Sequence, residues 1–295
     1  MEAFRESLLI LISTPVYIVF IGLELWMSYS HNRGYYSGKG MLMNIYLMLL
    51  NMGLDILLRG VCLFALAWAW EFRVVEIQHV FLYWFVLLLA EDFLFYWLHR
   101  VDHYCRVFWA VHVTHHSSEE FNLTVGFRSS VFQPLYRFIW FMPLPLLGFK
   151  GIDIMFMYSA TQIYGILIHT QFVGKLGFLE WFMSTPSHHR VHHGSNVEYL
   201  DRNMGMVLII WDRLFGTFTE ETETVKYGLT KNLEQPYHPF KTVFHEWSEM
   251  FRDVRRAPSF KDKLHYLFGP PGWSHDGSRK TSNQLRTEKR SKFKV

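Results

Sequence analysis

The residues most able to do chemistry are histidines, 16 in all, and they cluster. His99 and His103 stand in HRVDH, and His112, His115 and His116 in HVTHH. His169 stands alone in ILIHTQF, and His188, His189, His192 and His193 fill TPSHHRVHHG at 185–194. On a helix, positions four apart share a face with their Cβ atoms about 5–6 Å apart. His99 and His103 can therefore grip one ion, and Asp92, seven residues earlier, falls on the same face. The H-x-x-H-H spacing of 112–116 and 189–193 sets three imidazoles along one helical stripe. Thr185 suits a helix N-cap, Pro186 the first helical position and Gly194 the end. One such pair would be an ordinary surface occurrence. Three clusters of imidazoles that would otherwise protonate and repel call for a cation, for which neutral imidazole is a good ligand. The eight histidines of these boxes exceed the three or four protein ligands typical of a single zinc. They suffice for two ions, and ligand type alone admits iron, zinc or copper. The chain has no HExxH, no CxxC and no GxGxxG. Cys62 and Cys105 are too few for a disulfide scaffold and read as buried free thiols.

The elements that must position these side chains are apolar. Charged residues make up only 19% of the 295, below the roughly 25% of an average soluble domain, and aromatics make up 18%. Five stretches approach the roughly 20 residues of a membrane crossing: 7–27, 42–70, 79–98, 130–149 and 151–172. The first, after the non-basic MEAFRE and without a small-residue cleavage site, reads as a retained anchor. Asp55 and Arg59 in the second can pair four residues apart, in a tilted span or a span with an interfacial turn. Pro134, Pro143 and Pro145 kink the fourth or make it partly re-entrant, and it forms a hairpin with the fifth. The expected architecture is all-α: a polytopic membrane protein of four to five spans with a cytosolic helical cap holding a histidine-bound two-metal site. Arg33 and Lys39 set the loop 28–41 in the cytosol, and with it the chain after 172. The organisation reads as N-terminal spans at 1–78, a catalytic unit at 79–256 and a basic tail at 257–295, expected to be disordered from 276 and able to touch anionic lipid. A net charge of +3 gives no reason to expect nucleic acid. Metal ions just under a bilayer surface point to a lipid substrate, and two redox-active irons there to O₂ activation and attack on an unreactive C–H bond.

The run HRVDH, HVTHHSSEEFN, HHRVHH and MVLIIWDRLFGTF resembles the fatty acid hydroxylase/sterol desaturase superfamily. Within it, NLTVGFRSSVFQP, LGFLEWFMSTPSHHRVHHG and YGLT make Glu91 to about Phe218 most similar to the alkylglycerol monooxygenase group and its shorter bacterial relatives. The resemblance implies a histidine-bound di-iron centre using O₂ and an external two-electron donor. It implies His99, His103, His112, His115, His116, His189, His192 and His193 as ligands, with His169 a ninth. Where some relatives carry a further histidine this chain has Gly165, which leaves a water or open position at one ion. His188 falls outside the pattern and is a possible tenth ligand or a neighbour of the ligands. Candidates to hold the outer ring nitrogens are Asp92, Asp102, Glu119, Glu120, Asn122, Asp201, Asn203 and Asp212. WDRLFGTF is expected to dock the cap on the membrane block, and His275 to be structural.

The expected activity is hydroxylation or desaturation of a lipid in an inner membrane or the endoplasmic reticulum. The donor is open among a tetrahydropterin, a ferredoxin and a cytochrome b5. Ether-lipid cleavage with a pterin is an alternative. A metal transporter and a membrane zinc hydrolase are alternatives of other classes. The former is disfavoured because eight of the nine histidines lie in helix-spaced boxes outside the spans, and the latter because no glutamate sits within a histidine motif.

Overall fold

The computed structural model describes residues 2–292, and among these it is all-helical, with only two isolated bridges, Met183 with Leu208 and Gly194 with Tyr227. Three helices, α1 (Glu2–Ser30), α2 (Gly38–Trp70) and α3 (Val80–Tyr104), are long and apolar enough to cross a membrane. No more than 28% of any of their apolar windows is buried against protein, so most of their side chains face outward and need lipid around them. The 42–70 stretch lies within one continuous helix, capped by Ser37, whose Oγ accepts from Gly40 N at 3.0 Å. Asp55 and Arg59 pair within it at 3.9 Å, and Arg137 joins them, bonding to Asp55 and, at 2.8 Å, to the Tyr158 hydroxyl. A carboxylate in an apolar span is thus held by two cations.

The stretch 130–149 is not a single span. It breaks into a 3₁₀ turn at Gln133–Leu135, α5 (Arg137–Phe141) and α6 (Pro143–Leu146), because Pro134, Pro143 and Pro145 bring no N–H to a continuous ladder. A 17-residue helix follows, α7 (Gly151–Leu167), which ends just before His169. Phe138, Phe141, Leu144, Phe149 and Ile154 from these pieces close a core with Leu66 of α2 and Leu87, Phe95 and Leu98 of α3.

Beyond α3 the chain turns at Cys105, whose backbone is extended (φ −123°, ψ 121°), into α4 (Arg106–His116). After α7 come α8 (Pro186–His192), α9 (Ile210–Phe215), α10 (Pro239–Arg256) and α11 (Phe260–Phe268), with one more helix at the C-terminal end. Buried Arg106 ties α4 to α10 through Glu246 and Asp253, both at 2.7 Å. WDRLFGTF docks as expected: Trp211 meets Phe93 of α3 with ring centroids at 5.1 Å, and Phe215 stacks on Tyr96 at 5.5 Å.

The C-terminal segment corrects the reading of disorder from 276 onward. Residues Ser282–Lys292 form a helix, α12. Thr281 and Gln284 cap its start reciprocally: Thr281 N donates to Gln284 Oε1 at 2.8 Å and Gln284 N to Thr281 Oγ1 at 3.4 Å. Arg286 is buried and donates to the Leu200 carbonyl, while Arg290 pairs with Glu198 at 2.9 Å. Basic composition concealed a helix whose cations have partners next to the histidine-bearing loop. His275 is structural, its Nδ1 lying 2.7 Å from the Tyr266 hydroxyl.

Candidate metal centre

The nine histidines converge from four places: the last turns of α3, the end of α4, the second residue after α7, and α8 with the position after it. They form two groups, His99, His103, His112, His116 and His192 in the first and His115, His169, His189 and His193 in the second. Within each group the ligand atoms lie within 4.8 Å of one another. Each H-x-x-H-H box is divided. From α4 the i, i+4 pair His112 and His116 enters the first group and His115 the second; from α8 the pair His189 and His193 enters the second and His192 the first. Adjacent residues on one helix turn point about 100° apart, so each box serves two neighbouring centres. The groups touch, with His116 and His193 stacked at 4.4 Å between centroids.

Backbone carbonyls set the proton positions. His99 Nδ1 donates to Met204 O at 2.8 Å, His115 Nδ1 to Arg128 O at 2.8 Å, His169 Nδ1 to Gly165 O at 2.7 Å and His192 Nδ1 to Arg202 O at 2.9 Å. A carbonyl only accepts, so in these neutral rings Nε2 carries a bare lone pair. The Nε2 atoms of His99 and His169 lie close to those of neighbouring rings: His99 and His112 Nε2 are 3.1 Å apart, His112 and His116 3.1 Å, His169 and His193 3.2 Å, and His169 and His189 2.9 Å. An ion about 2.1 Å from each nitrogen spaces neighbouring ligands about 3 Å apart. His103 Nε2, His192 Nε2 and His189 Nδ1 are buried with no hydrogen-bond partner. Clustered ring nitrogens, several of them buried with no partner, are unfavourable without a cation and well matched to one, so the residues present fit a metal in each group.

Burial, with the neighbouring imidazoles, pushes His112, His116, His189, His192 and His193 well below the ordinary histidine value, and burial lowers His115 to about 4. The native rings are neutral, so the unfolded chain binds more protons in the window between its own value of 6.5 and about 4 for His115. The stability this contributes is fully present above that upper limit and is lost as pH falls through the window. Metal-free protein in detergent should therefore melt lower at about pH 5 than at about pH 7.5, and loaded protein should release its metal over the same range. Equal melting temperatures at the two pH values would contradict neutral rings.

The candidates around the ligands divide into three kinds. Asp201 Oδ1 lies 3.2 Å from His103 Nδ1, and Asp102 Oδ2 lies 3.8 Å from His112 Nδ1. Asp102 mainly accepts from Tyr136 at 2.7 Å and Gln133 at 2.8 Å, and the His112 ring is met more closely by Ser130 Oγ at 2.9 Å. A second set holds the segment 201–209 that carries the Arg202 and Met204 carbonyls. Asp212 accepts from Met204 N at 2.7 Å and Gly205 N at 2.8 Å, while Asp92 accepts from Val207 N at 2.9 Å, Leu208 N at 3.1 Å and Trp211 Nε1 at 2.9 Å. Asn203, in a left-handed conformation (φ 54°), donates to His188 O and Thr219 O. The third set lies apart from the rings. Glu119 is exposed, Glu120 accepts from Ser37 N at 3.1 Å, and Asn122 caps the turn at Leu123–Phe127. His188 closes the capping box of α8 with Thr185 and is in neither group. No open space lies at Gly165: a Cβ there would meet Met206 Sδ at 2.4 Å, so a thioether fills the place where a further histidine was considered. Ser130 and the carbonyls of Met204, Arg202, Arg128 and Gly165 were not foreseen from the sequence. Of these only Ser130 offers a side-chain signal. Buried Glu24 in α1 was missed as well; it accepts from Leu123 N at 2.8 Å and Thr170 Oγ1 at 2.5 Å.

Fold and site together define an integral membrane protein with two buried histidine groups able to hold metal. Residues 84–217 match the fatty acid hydroxylase family model. It is 34% identical over 271 residues to alkylglycerol monooxygenase of Xenopus tropicalis, covering 88% of this chain and 58% of that protein. It is 40% identical over 190 residues to the human alkylglycerol monooxygenase, covering 64% and 42% respectively. Ornithine lipid hydroxylase OlsE of Rhizobium tropici is 29% identical over 161 residues, covering 51% of this chain and 49% of that protein. The chain thus spans little more than half the length of the first of these relatives. No solved structure gives a significant match.

Proposed function

We propose that this chain is a membrane di-iron oxygenase that hydroxylates or desaturates a lipid, using O₂ and two electrons from an external donor. The observation that carries it is the division of nine histidines, eight of them buried, into two adjoining groups at the end of an apolar helix, within a fatty acid hydroxylase domain. The nine histidines are the proposed ligands, five to one ion and four to the other. When bound, two irons supply the capacity to reduce O₂ and oxidise an unactivated C–H bond. The protein's part is to fix the rings in one tautomer, hold the pair in register and keep bulk water from the reacting carbon. The Met204, Arg202, Arg128 and Gly165 carbonyls do the first, and the division of α4 and α8 between the groups does the second. A cavity of about 760 Å³, walled by His103, His116 and His192 on one side and α10 on another, gives small polar reactants a path to the first group. The same reading puts the site on the cytosolic face and leaves the donor among a reduced pterin, a ferredoxin and a cytochrome b5.

A narrower reading, ether-lipid cleavage with a pterin, is favoured by the 34–40% identity to alkylglycerol monooxygenases. Lipid extracts of cells with and without the gene, grown with ¹⁸O₂, distinguish the two. A hydroxyl or double bond present only with the gene supports the broader reading. Accumulation of intact alkylglycerols without it selects the narrower one. Unchanged lipids in both would reject the oxygenase assignment.

A further inference from the structure

Helix α10 divides its surface into three faces. Thr242, Val243 and Met250 are buried, and Glu246 and Asp253 reach Arg106 beneath. Lys241, Arg252, Arg255 and Arg256 lie on the solvent side, with Glu249 as the acid among them. Phe240, Phe244, Trp247 and Phe251 form the third face, spaced four, three and four apart and so within one stripe. Phe240 is 70% exposed and Phe251 49%, and the rings stack in pairs, Phe240 on Phe244 and Trp247 on Phe251. Helix α11 repeats the pattern, with Phe260, Leu264 and Phe268 all exposed. So long an aromatic surface is not a stable boundary with water.

Its height in the molecule identifies what covers it. Val243 packs on Met43 and Leu47 of α2, one to three turns inside that membrane helix. At the same level the outward residues of α2, Leu42, Ile45 and Leu49, are exposed and apolar, which places them against lipid. The neighbouring end of α1 presents exposed Trp26 and Tyr29, residue types that gather at membrane–water boundaries. Phe132 joins the surfaces, its ring 5.8 Å from Phe244 and its side chain packed on the Met43–Leu47 cluster. The stripe is thus continuous with the lipid-facing surface, and its basic flank complements anionic headgroups.

We propose that α10 and α11 lie in the membrane interface, with the Phe240–Phe251 stripe and the outer face of α11 in the acyl boundary and the basic face of α10 among anionic headgroups. The cavity beside the first histidine group includes Phe240, Lys241 and Phe244, so its mouth opens at headgroup level. The proposal does not depend on what the histidines bind.

The test uses the full chain with Cys62→Ala and Cys105→Ala, carrying a fluorescent label at Phe244→Cys, Phe251→Cys or Glu249→Cys. The protein is reconstituted in phosphatidylcholine–phosphatidylglycerol vesicles with brominated acyl chains. Labels at 244 and 251 should be quenched several-fold more than the label at 249. Equal quenching at all three positions would overturn the proposal. So would unquenched labels at 244 and 251 whose signals couple between protomers, which would assign the stripe to a second copy. A bilayer-partitioned photolabel applied to the unsubstituted chain covers the case in which a variant does not fold. It should modify the 240–251 and 260–268 peptides as well as α1–α3, and labelling confined to α1–α3 would reject the proposal.

Discussion

His192→Ala and His189→Ala should each remove about one metal ion per chain, and from different places. His192 belongs with His99, His103, His112 and His116, and His189 with His115, His169 and His193. The group left intact keeps all four or five of its rings and so its own ion, while the altered group loses one of the rings that close its shell. Either variant should lose lipid oxidation almost entirely, because the chemistry proposed needs both ions, while metal content falls only by about half. The double variant should carry almost no metal. A His188→Ala variant gives the control: this ring closes the α8 capping box and faces Glu180 at 3.9 Å, so its loss should leave the metal count near that of the unaltered chain. If His192→Ala alone emptied both groups, or if His188→Ala emptied either, the assignment of rings to two separate centres would be wrong.

The second large effect is expected at Asp92. Its carboxylate takes three hydrogen bonds, from the backbone N–H groups of Val207 and Leu208 and from the Trp211 indole. Asp92→Ala leaves those donors buried without an acceptor, at a cost of about 3 kcal/mol or more. Asp92→Asn keeps the shape and one acceptor oxygen and should cost less. The loss extends beyond stability, because the anchored segment supplies the carbonyls that orient His99 and His192. Asp92→Ala should therefore lower both the melting temperature and the metal content, with Asn intermediate in each. A variant that melts lower but retains full metal would show that the anchor supports the cap and not the rings. Asp212, which holds Met204 N and Gly205 N, should behave similarly through the same segment.

The histidines were legible because metal binding by helices imposes a spacing that few other demands produce, and all nine that the pattern and the resemblance indicated come together. The division of each box between two groups was not legible. Spacing puts three rings on one stripe, and only the packing of α4 against α8 shows which ring meets which partner. The orienting groups were harder still, since four of them are main-chain carbonyls and carry no residue-type signature. Acids near histidines were natural candidates, yet Asp92 and Asp212 act through backbone N–H groups and Glu119 stands exposed. The membrane helices followed from composition, and the break at 130–149 from its prolines. The C-terminal helix was hidden by its charge, although the Thr281–Gln284 cap was there to be read in TSNQ. In α10 the apolar positions follow a helical period but serve two different surfaces, one against protein and one outward, and the sequence does not separate them.

The proposed chemistry needs two metal centres of one kind in one chain. Protein purified without oxygen and assayed for all first-row metals, with Mössbauer spectroscopy of ⁵⁷Fe-grown material, tests this most directly. Such material should hold about two irons per chain, in two nitrogen-rich environments. One zinc per chain, or no bound metal with both histidine groups intact, would contradict it.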